Sequence, residues 1–291
     1  MPFKIQKMSG TTIHQFTTNL ITELSEFYPE QEIRQFSKLM LEHLLQVSTT
    51  HLLMMNSERL SEQHVQDLER MTNQLKKHIP IQYILGETEF YGLKFEVNPN
   101  VLIPRPETEE LVNWIIKDYG VQFNNLLDIG TGSGCIALSL KANMPETHIT
   151  AWDISAKAIQ TARQNATHLD LNVNFEEVDV LSHQGDHRCF DCIVSNPPYV
   201  RELEKKMMET NVLDHEPHTA LFVSDTDPLI FYRTIAKLGL QMLHEKGVLF
   251  FEINEYLEKE MIEMLSQLGY TQIESRQDIN GRPRMMKANR P

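Results

Sequence analysis

Along the first part of the chain, apolar residues recur at intervals of three and four. Ile13, Phe16, Leu20, Ile21 and Leu24 fall on one face of a 3.6-residue period, which predicts an amphipathic helix from about Thr11. Pro29 can open a second helix with Ile33, Phe36, Met40 and Leu44 as its stripe. Val65, Leu68, Met71 and Leu75 predict a third over 61–78, stopped by Pro80. Residues 1–79 therefore read as a small helical bundle domain. Between 81 and 103 aromatic and β-branched residues replace that period, and the Tyr91-Gly92 break predicts a β-hairpin over the linker 80–103. From Pro106 onward the pattern alternates: helix 107–118, strand 126–129, helix 135–142, strand 148–153, helix 156–168, then strands at 173–178, 191–195, 247–253 and 270–274. Such alternation predicts an α/β fold over 104–291, a doubly wound and mostly parallel sheet with both faces covered.

Composition narrows the class of protein. With 291 residues, 41% hydrophobic and 23% charged, the chain can bury a core and is not a collagen-like, disulfide-stapled or wholly disordered polypeptide. Forty acidic against 27 basic side chains leave a formal charge of −13, which repels phosphate and anionic lipid, so no nucleic acid and no membrane is expected as a partner. The longest strongly apolar run, 247–253, is far shorter than the ~20 residues a bilayer requires. The N-terminal MPFKIQKMSG has no apolar core of a secretory signal, and three cysteines make no disulfide framework. A cytoplasmic protein, read as a monomer, is the expectation.

Two segments carry candidate chemistry. In the first, Leu126-Leu127-Asp128-Ile129 runs into Gly130-Thr131-Gly132-Ser133-Gly134 and then an apolar helix. Glycines at every second position let a ligand approach the backbone with no Cβ in the way. A dinucleotide fingerprint would place its last glycine where Cys135 stands, so the spacing does not suit NAD. It resembles motif I of class I S-adenosylmethionine (SAM)-dependent methyltransferases. Asp153 ends the next strand, where a carboxylate can accept both ribose hydroxyls; a helix N-cap shared with Ser155 is the other reading. Asp179, after the third strand, can accept an adenine amino group, and Val180 can pack on the ring.

The second segment is Ser195-Asn196-Pro197-Pro198-Tyr199, at the end of the fourth strand. The Asn196 side-chain oxygen and the Pro197 carbonyl can each accept one N–H of a planar NH2 group, with Tyr199 packed on its flat face and the prolines, Pro198 included, holding the geometry. An ordinary Asn-Pro turn is the plainer alternative. Standing beyond the glycine loop in the same sheet, it resembles motif IV of methyltransferases that modify planar exocyclic or amide nitrogens. Cys189-x-x-Cys192 lacks a second ligand pair and reads as core, and His215, Glu216 and His218 lack metal-site spacing, so no metal is expected.

The choice among adenine-N6, guanine-N2 and glutamine-N5 methyltransferases turns on the segment before the glycine loop. Gln82-Tyr83-Ile84-Leu85-Gly86, Phe90-Tyr91-Gly92 and Leu102-Ile103-Pro104-Arg105-Pro106-Glu107-Thr108-Glu109 closely resemble the HemK/PrmC family. So do Glu216-Pro217 with Ala220-Leu221, Phe231-Tyr232-Arg233, Phe251-Glu252-Ile253-Asn254, and Asp278 with Gly281-Arg282. The resemblance implies a class I methyltransferase domain behind a helical substrate-recognition domain. It implies transfer of a methyl group from SAM, leaving S-adenosylhomocysteine, to the side-chain nitrogen (N5) of the glutamine in the Gly-Gly-Gln motif of peptide chain release factors, which modulates translation termination. Arg105 is then expected near the substrate. The chain departs from the family where a Gly-Gly-x-Asp-Gly loop is usual, carrying Val223-Ser224-Asp225-Thr226-Asp227-Pro228, and where Val180 replaces a frequent Trp. A nucleic-acid amino methyltransferase using the same site is the competing enzyme, disfavoured by the charge, and a SAM-fold module without catalysis is disfavoured by the intact Asn-Pro-Pro-Tyr.

Overall fold

Thr12 starts the first helix by a reciprocal cap. Its hydroxyl accepts from Gln15 N while the Gln15 side chain accepts from Thr12 N, satisfying two donors that the helix start leaves open. A computed structural model describes residues 10–120, 122–208 and 210–291, in a first unit ending at Leu85 and a second unit, Gly86–Pro291. The sequence reading of the N-terminus up to residue 9 lies outside the described residues.

The first unit contains α1 (Ile13–Leu24), α2 (Glu30–Leu45), α3 (Thr49–Met54), α4 (Glu62–Leu75) and α5 (Ile81–Leu85). The residues of the expected stripes form its core: Leu20, Leu24, Ile33, Met40, Leu68 and Leu75 are all buried. Each such side chain contributes roughly 1.5–3 kcal/mol over leaving it in water. Pro29 caps α2 from outside instead of entering its first turn, and Ser61 caps α4 by accepting from His64 N. Two elements differ from expectation. Helix α3 has too few turns to display a stripe. Residues 81–85, expected as the start of a β-hairpin, are helical: the Pro80 carbonyl accepts from Tyr83 and Ile84, and Ile81 is buried in the helical core. Burial here overrides the strand preference of β-branched and aromatic side chains.

The hairpin itself is confined to β1 (Glu87–Phe90) and β2 (Leu93–Glu96). Its two-residue turn, Tyr91 at φ 50° and Gly92 at φ 73°, has the positive angles of the tight turn that matches strand twist. The hairpin belongs to the second unit. Glu96 donates its N–H to Asn165 Oδ1 at 2.6 Å, and Asn165 Nδ2 donates to Glu96 O at 3.0 Å and to Ser133 O at 2.9 Å. One buried amide thus joins the hairpin to the glycine loop.

The rest of the second unit alternates as expected. It comprises α6 (Pro106–Tyr119), β3 (Asn125–Ile129), α7 (Cys135–Asn143), β4 (His148–Asp153), α8 (Ala156–His168), β5 (Asn174–Glu177) and β6 (Phe190–Ser195). After β6 come β7 (Val200–Arg201), α9 (Thr210–His215), α10 (His218–Leu221) and β8 (Phe222–Val223), with β7 and β8 paired as a small separate sheet. The chain ends with α11 (Ile230–Met242), β9 (Leu243–Glu252), α12 (Glu258–Gln267), β10 (Thr271–Gln277) and β11 (Pro283–Asn289). The main sheet runs β10-β11-β9-β6-β3-β4-β5. Strands β9, β6, β3, β4 and β5 are parallel, and β11 enters antiparallel between β9 and β10. The chain leaves β3 toward β4 and β5, then returns to lay β6 on the other side of β3. That reversal opens a crevice beyond the carboxyl ends of β3 and β6, the usual ligand position in open α/β sheets.

Candidate active site

Register sets what meets in the crevice. Ile129 of β3 lies level with Ser195 of β6 and with Trp152 of β4, and Ser195 lies level with Phe251 of β9. The residues that follow these four, Gly130, Asn196, Asp153 and Glu252, therefore leave the sheet side by side. Ser195 donates its hydroxyl to Ile129 O at 2.6 Å, tying the starts of two loops together.

The glycine loop is held from below and from the side. Gly130 and Thr131 both donate N–H groups to Trp152 O, at 2.8 and 2.9 Å, and the Thr131 hydroxyl donates to Asp128 Oδ2 at 2.6 Å. Gly132 donates its N–H to Asp153 Oδ2 at 2.9 Å, and Ser155 N donates to Asp153 Oδ1 at 2.9 Å. Asp153 does not cap α8; Ser155 does, through Ala158 N. Gly132 has φ +56°, and a Cβ on it would meet no heavy atom within 4 Å. At Gly134, φ is +83° and a Cβ would stand 3.1 Å from Leu138 Cδ1 and 3.2 Å from Ala162 Cβ. The first glycine thus leaves room for a ligand, and the second lets α7 and α8 approach.

A cavity of about 570 Å³ occupies the crevice. Its walls include Gly130, Thr131, Gly132 and Ser133, then Asp153, then Asp179 and Val180, and then Ser195 through Pro198. Arg105 and Thr108 contribute from the start of α6. Every glycine-loop residue expected from the sequence, apart from Gly134 at the helix start, is in this lining. Asp179 Oδ1 accepts from Leu181 N at 2.9 Å, and Val180 is largely buried. At the second motif the wall is Ser195 to Pro198. The Tyr199 hydroxyl, instead of reaching into the cavity, donates to Glu252 Oε1 at 2.9 Å.

Four residues without an expected role complete the site. Thr108 donates to Glu252 Oε2 at 2.6 Å and accepts from Asn196 Nδ2 at 3.3 Å. Burial pushes the Glu252 carboxyl up, while the Thr108 and Tyr199 hydroxyls and the Arg284 charge favour its ionised form. Glu216, buried, binds both the Arg105 guanidinium and Ile103 N, fastening the 217–222 wall to the segment before α6. Asp128 is fully buried, and that burial raises its pKa to about 7 against the opposing Thr131 hydrogen bond. Its Oδ1 has no hydrogen-bond partner among the described residues. Glu216 and Glu252 stand in family-like motifs, but Glu216 meets Arg105 across 111 residues and Glu252 meets Thr108 across 144.

Comparison with known proteins selects a family for this arrangement. The family described as PrmC N-terminal domain matches residues 17–86, and that described as Methyltransferase small domain matches residues 107–221. A release factor glutamine methyltransferase of Flavobacterium psychrophilum is 45% identical over 281 residues, covering 95% of this chain and 99% of the relative. One of Bacteroides thetaiotaomicron is 46% identical, covering 96% of this chain and all of the relative. This chain belongs to the release factor glutamine methyltransferase family. The family's fold extends to distant enzymes. A methyltransferase of Pyrococcus furiosus superposes with TM-score 0.52 at 18% identity, over 69% of this chain and 90% of that one. Of Cys189 and Cys192, both free thiols, Cys192 is buried in β6 as the core reading expects, whereas Cys189 is only partly buried, with its Sγ 3.2 Å from His244 Nδ1.

Proposed function

We propose that this chain transfers a methyl group from SAM to the side-chain N5 of the glutamine in the Gly-Gly-Gln motif of peptide chain release factors, and so modulates translation termination. The observation that carries this reading is a shared wall: the glycine loop with Asp153, which suits the methyl donor, and Asn196 with Pro197, which suits a planar NH2 group, line one cavity. Membership of the family selects glutamine as the acceptor and a release factor as the partner.

The residues fit the donor. Asp153 keeps lone pairs on both oxygens after serving Gly132 and Ser155, enough for two ribose hydroxyls. The space in front of Gly132 is open, and Asp179 with Val180 lies further along the same wall. When bound, SAM supplies an electrophilic methyl group on a sulfonium, so the reaction needs no metal.

The chain's own work is to orient a weak nucleophile. An amide nitrogen delocalises its lone pair into the carbonyl. Accepting its two N–H groups on Asn196 Oδ1 and on the Pro197 carbonyl raises electron density on nitrogen and turns its face toward the methyl group. Pro198 stiffens the loop, and Asn254 Nδ2, donating to Tyr199 O at 3.0 Å, anchors its far end. After transfer the nitrogen is strongly acidic and releases its proton to water or to a site carbonyl. Tyr199 supports the loop through Glu252, and Arg105 borders the substrate side. The N-terminal helical domain recognises the release factor. The enzyme acts as a cytoplasmic monomer.

Incubation with methyl-labelled SAM and purified release factor, followed by peptide mapping, tests the reading. Label on the Gly-Gly-Gln glutamine is expected. Label on nucleic acid, or on another residue, would replace it, and absence of any transfer would point to a binding module. Removal of the residues before Gly86 should lower turnover on release factor far more than SAM affinity.

A further inference from the structure

Asn196 can accept a substrate N–H only if its oxygen, and not its NH2, faces the cavity. We propose that Thr108 and Glu252 are positioning residues that set this orientation through a relay of hydrogen bonds running from the Asn196 amide to the Glu252 carboxylate. The inference rests on the reading of Asn196 as acceptor for the substrate nitrogen.

The direction of the relay follows from donor counting. Both Glu252 oxygens accept hydroxyl protons, Oε1 from Tyr199 and Oε2 from Thr108 Oγ1 at 2.6 Å, so the single hydroxyl proton of Thr108 is committed to Glu252. The hydroxyl then offers only lone pairs to its other neighbour. Asn196 must meet them with Nδ2, at 3.3 Å, which leaves Oδ1 for the cavity. Glu252 has no freedom to swing, because its second oxygen holds the Tyr199 hydroxyl at 2.9 Å. Thr108 and Glu252 are 2% and 1% exposed, so water does not compete for these bonds. In such surroundings an amide that donates toward an anion is polarised, and its oxygen becomes a better acceptor. Register supplies the juxtaposition: Ser195 pairs with Phe251, so Asn196 and Glu252 emerge at one level. Thr108, in the first turn of α6, bridges them.

The test uses the full chain with release factor and SAM. Thr108→Val keeps the shape and removes the hydroxyl. It should lower kcat on the order of 10-fold, with SAM affinity changed less than about 2-fold, and Thr108→Ser should recover most of the loss. In an Asn196→Ala background the same Thr108→Val change should cost less than about 2-fold, since the group it orients is gone. Glu252→Gln, which can donate as well as accept, should lower kcat like Thr108→Val. A Thr108→Val enzyme with wild-type kcat, or one whose full penalty persists beside Asn196→Ala, overturns the relay. Failure of the wild-type enzyme to label the glutamine would instead overturn the functional reading, and the same assay separates the two.

Discussion

The N–H of Gly132 donates to Asp153 Oδ2 across the crevice, so the acidic end of β4 and the glycine loop after β3 form one rigid wall. Burial, the largest effect, raises the Asp153 pKa, while the backbone N–H groups of Ser155, Gly132 and Ile154 favour its ionised form. A carboxylate so placed has its geometry set before a ligand arrives. Asp153→Ala removes both the anchor of Gly132 and the proposed acceptor for ribose hydroxyls. Loss of hydrogen bonds to a charged group, about 1.5–3 kcal/mol, corresponds to a rise in Kd for SAM of roughly 10- to 150-fold. Titration calorimetry measures it, and an unchanged Kd would mean that the ribose is held elsewhere.

The two neighbouring glycines should fail in different ways. Gly132→Val projects its side chain into the open space of the cavity, so SAM binding should be lost while the fold persists, with about 1–2 kcal/mol of backbone strain at φ +56°. Gly134→Ala pushes a methyl group against Leu138 and Ala162 at a φ of +83°, and should lower unfolding stability by about 1–3 kcal/mol. Urea denaturation beside calorimetry distinguishes these outcomes.

Asn196→Ala removes an acceptor that matters chiefly in the transition state. Its kcat on release factor should fall on the order of 10²-fold or more, with a smaller change in the Michaelis constant and in SAM affinity. Steady-state kinetics decide it; a rate close to wild type would mean that another part of the chain orients the nitrogen.

Asp128 should make stability depend on pH. Its folded pKa, raised to about 7 by burial, exceeds the ordinary aspartate value of about 3.9, so the folded state binds the proton more tightly than the unfolded chain. Stability from this group is fully present below about pH 4, is lost as pH rises to about 7, and amounts to at most about 4 kcal/mol. Asp128→Asn stays uncharged throughout and should show a shallower decline over that range. The difference in urea-unfolding free energy between pH 4.5 and 7.5, wild type minus variant, isolates Asp128 from Asp153 and Glu252, which are present in both proteins. Equal pH slopes would show that Asp128 ionises freely.

Local pattern and tertiary context divided the work unevenly. Helices α1, α2 and α4, the alternation from α6 to β6, the glycine loop and the Asn-Pro-Pro-Tyr segment were legible in the chain itself. A 3.6-residue stripe, a buried strand and a glycine spacing are each set by neighbours a few residues apart. Other features were decided only by the assembled fold. Residues 81–85 became helical because Ile81 joined a core, and β11, with little alternation to mark it, gained its place from pairing with β9 and β10. The contacts that orient the site reach furthest: Asn196 meets Thr108 across 88 residues, and Thr108 meets Glu252 across 144. No periodicity encodes such a meeting. It follows from strand order and register, which bring β6, β9 and the start of α6 together only when the sheet has formed.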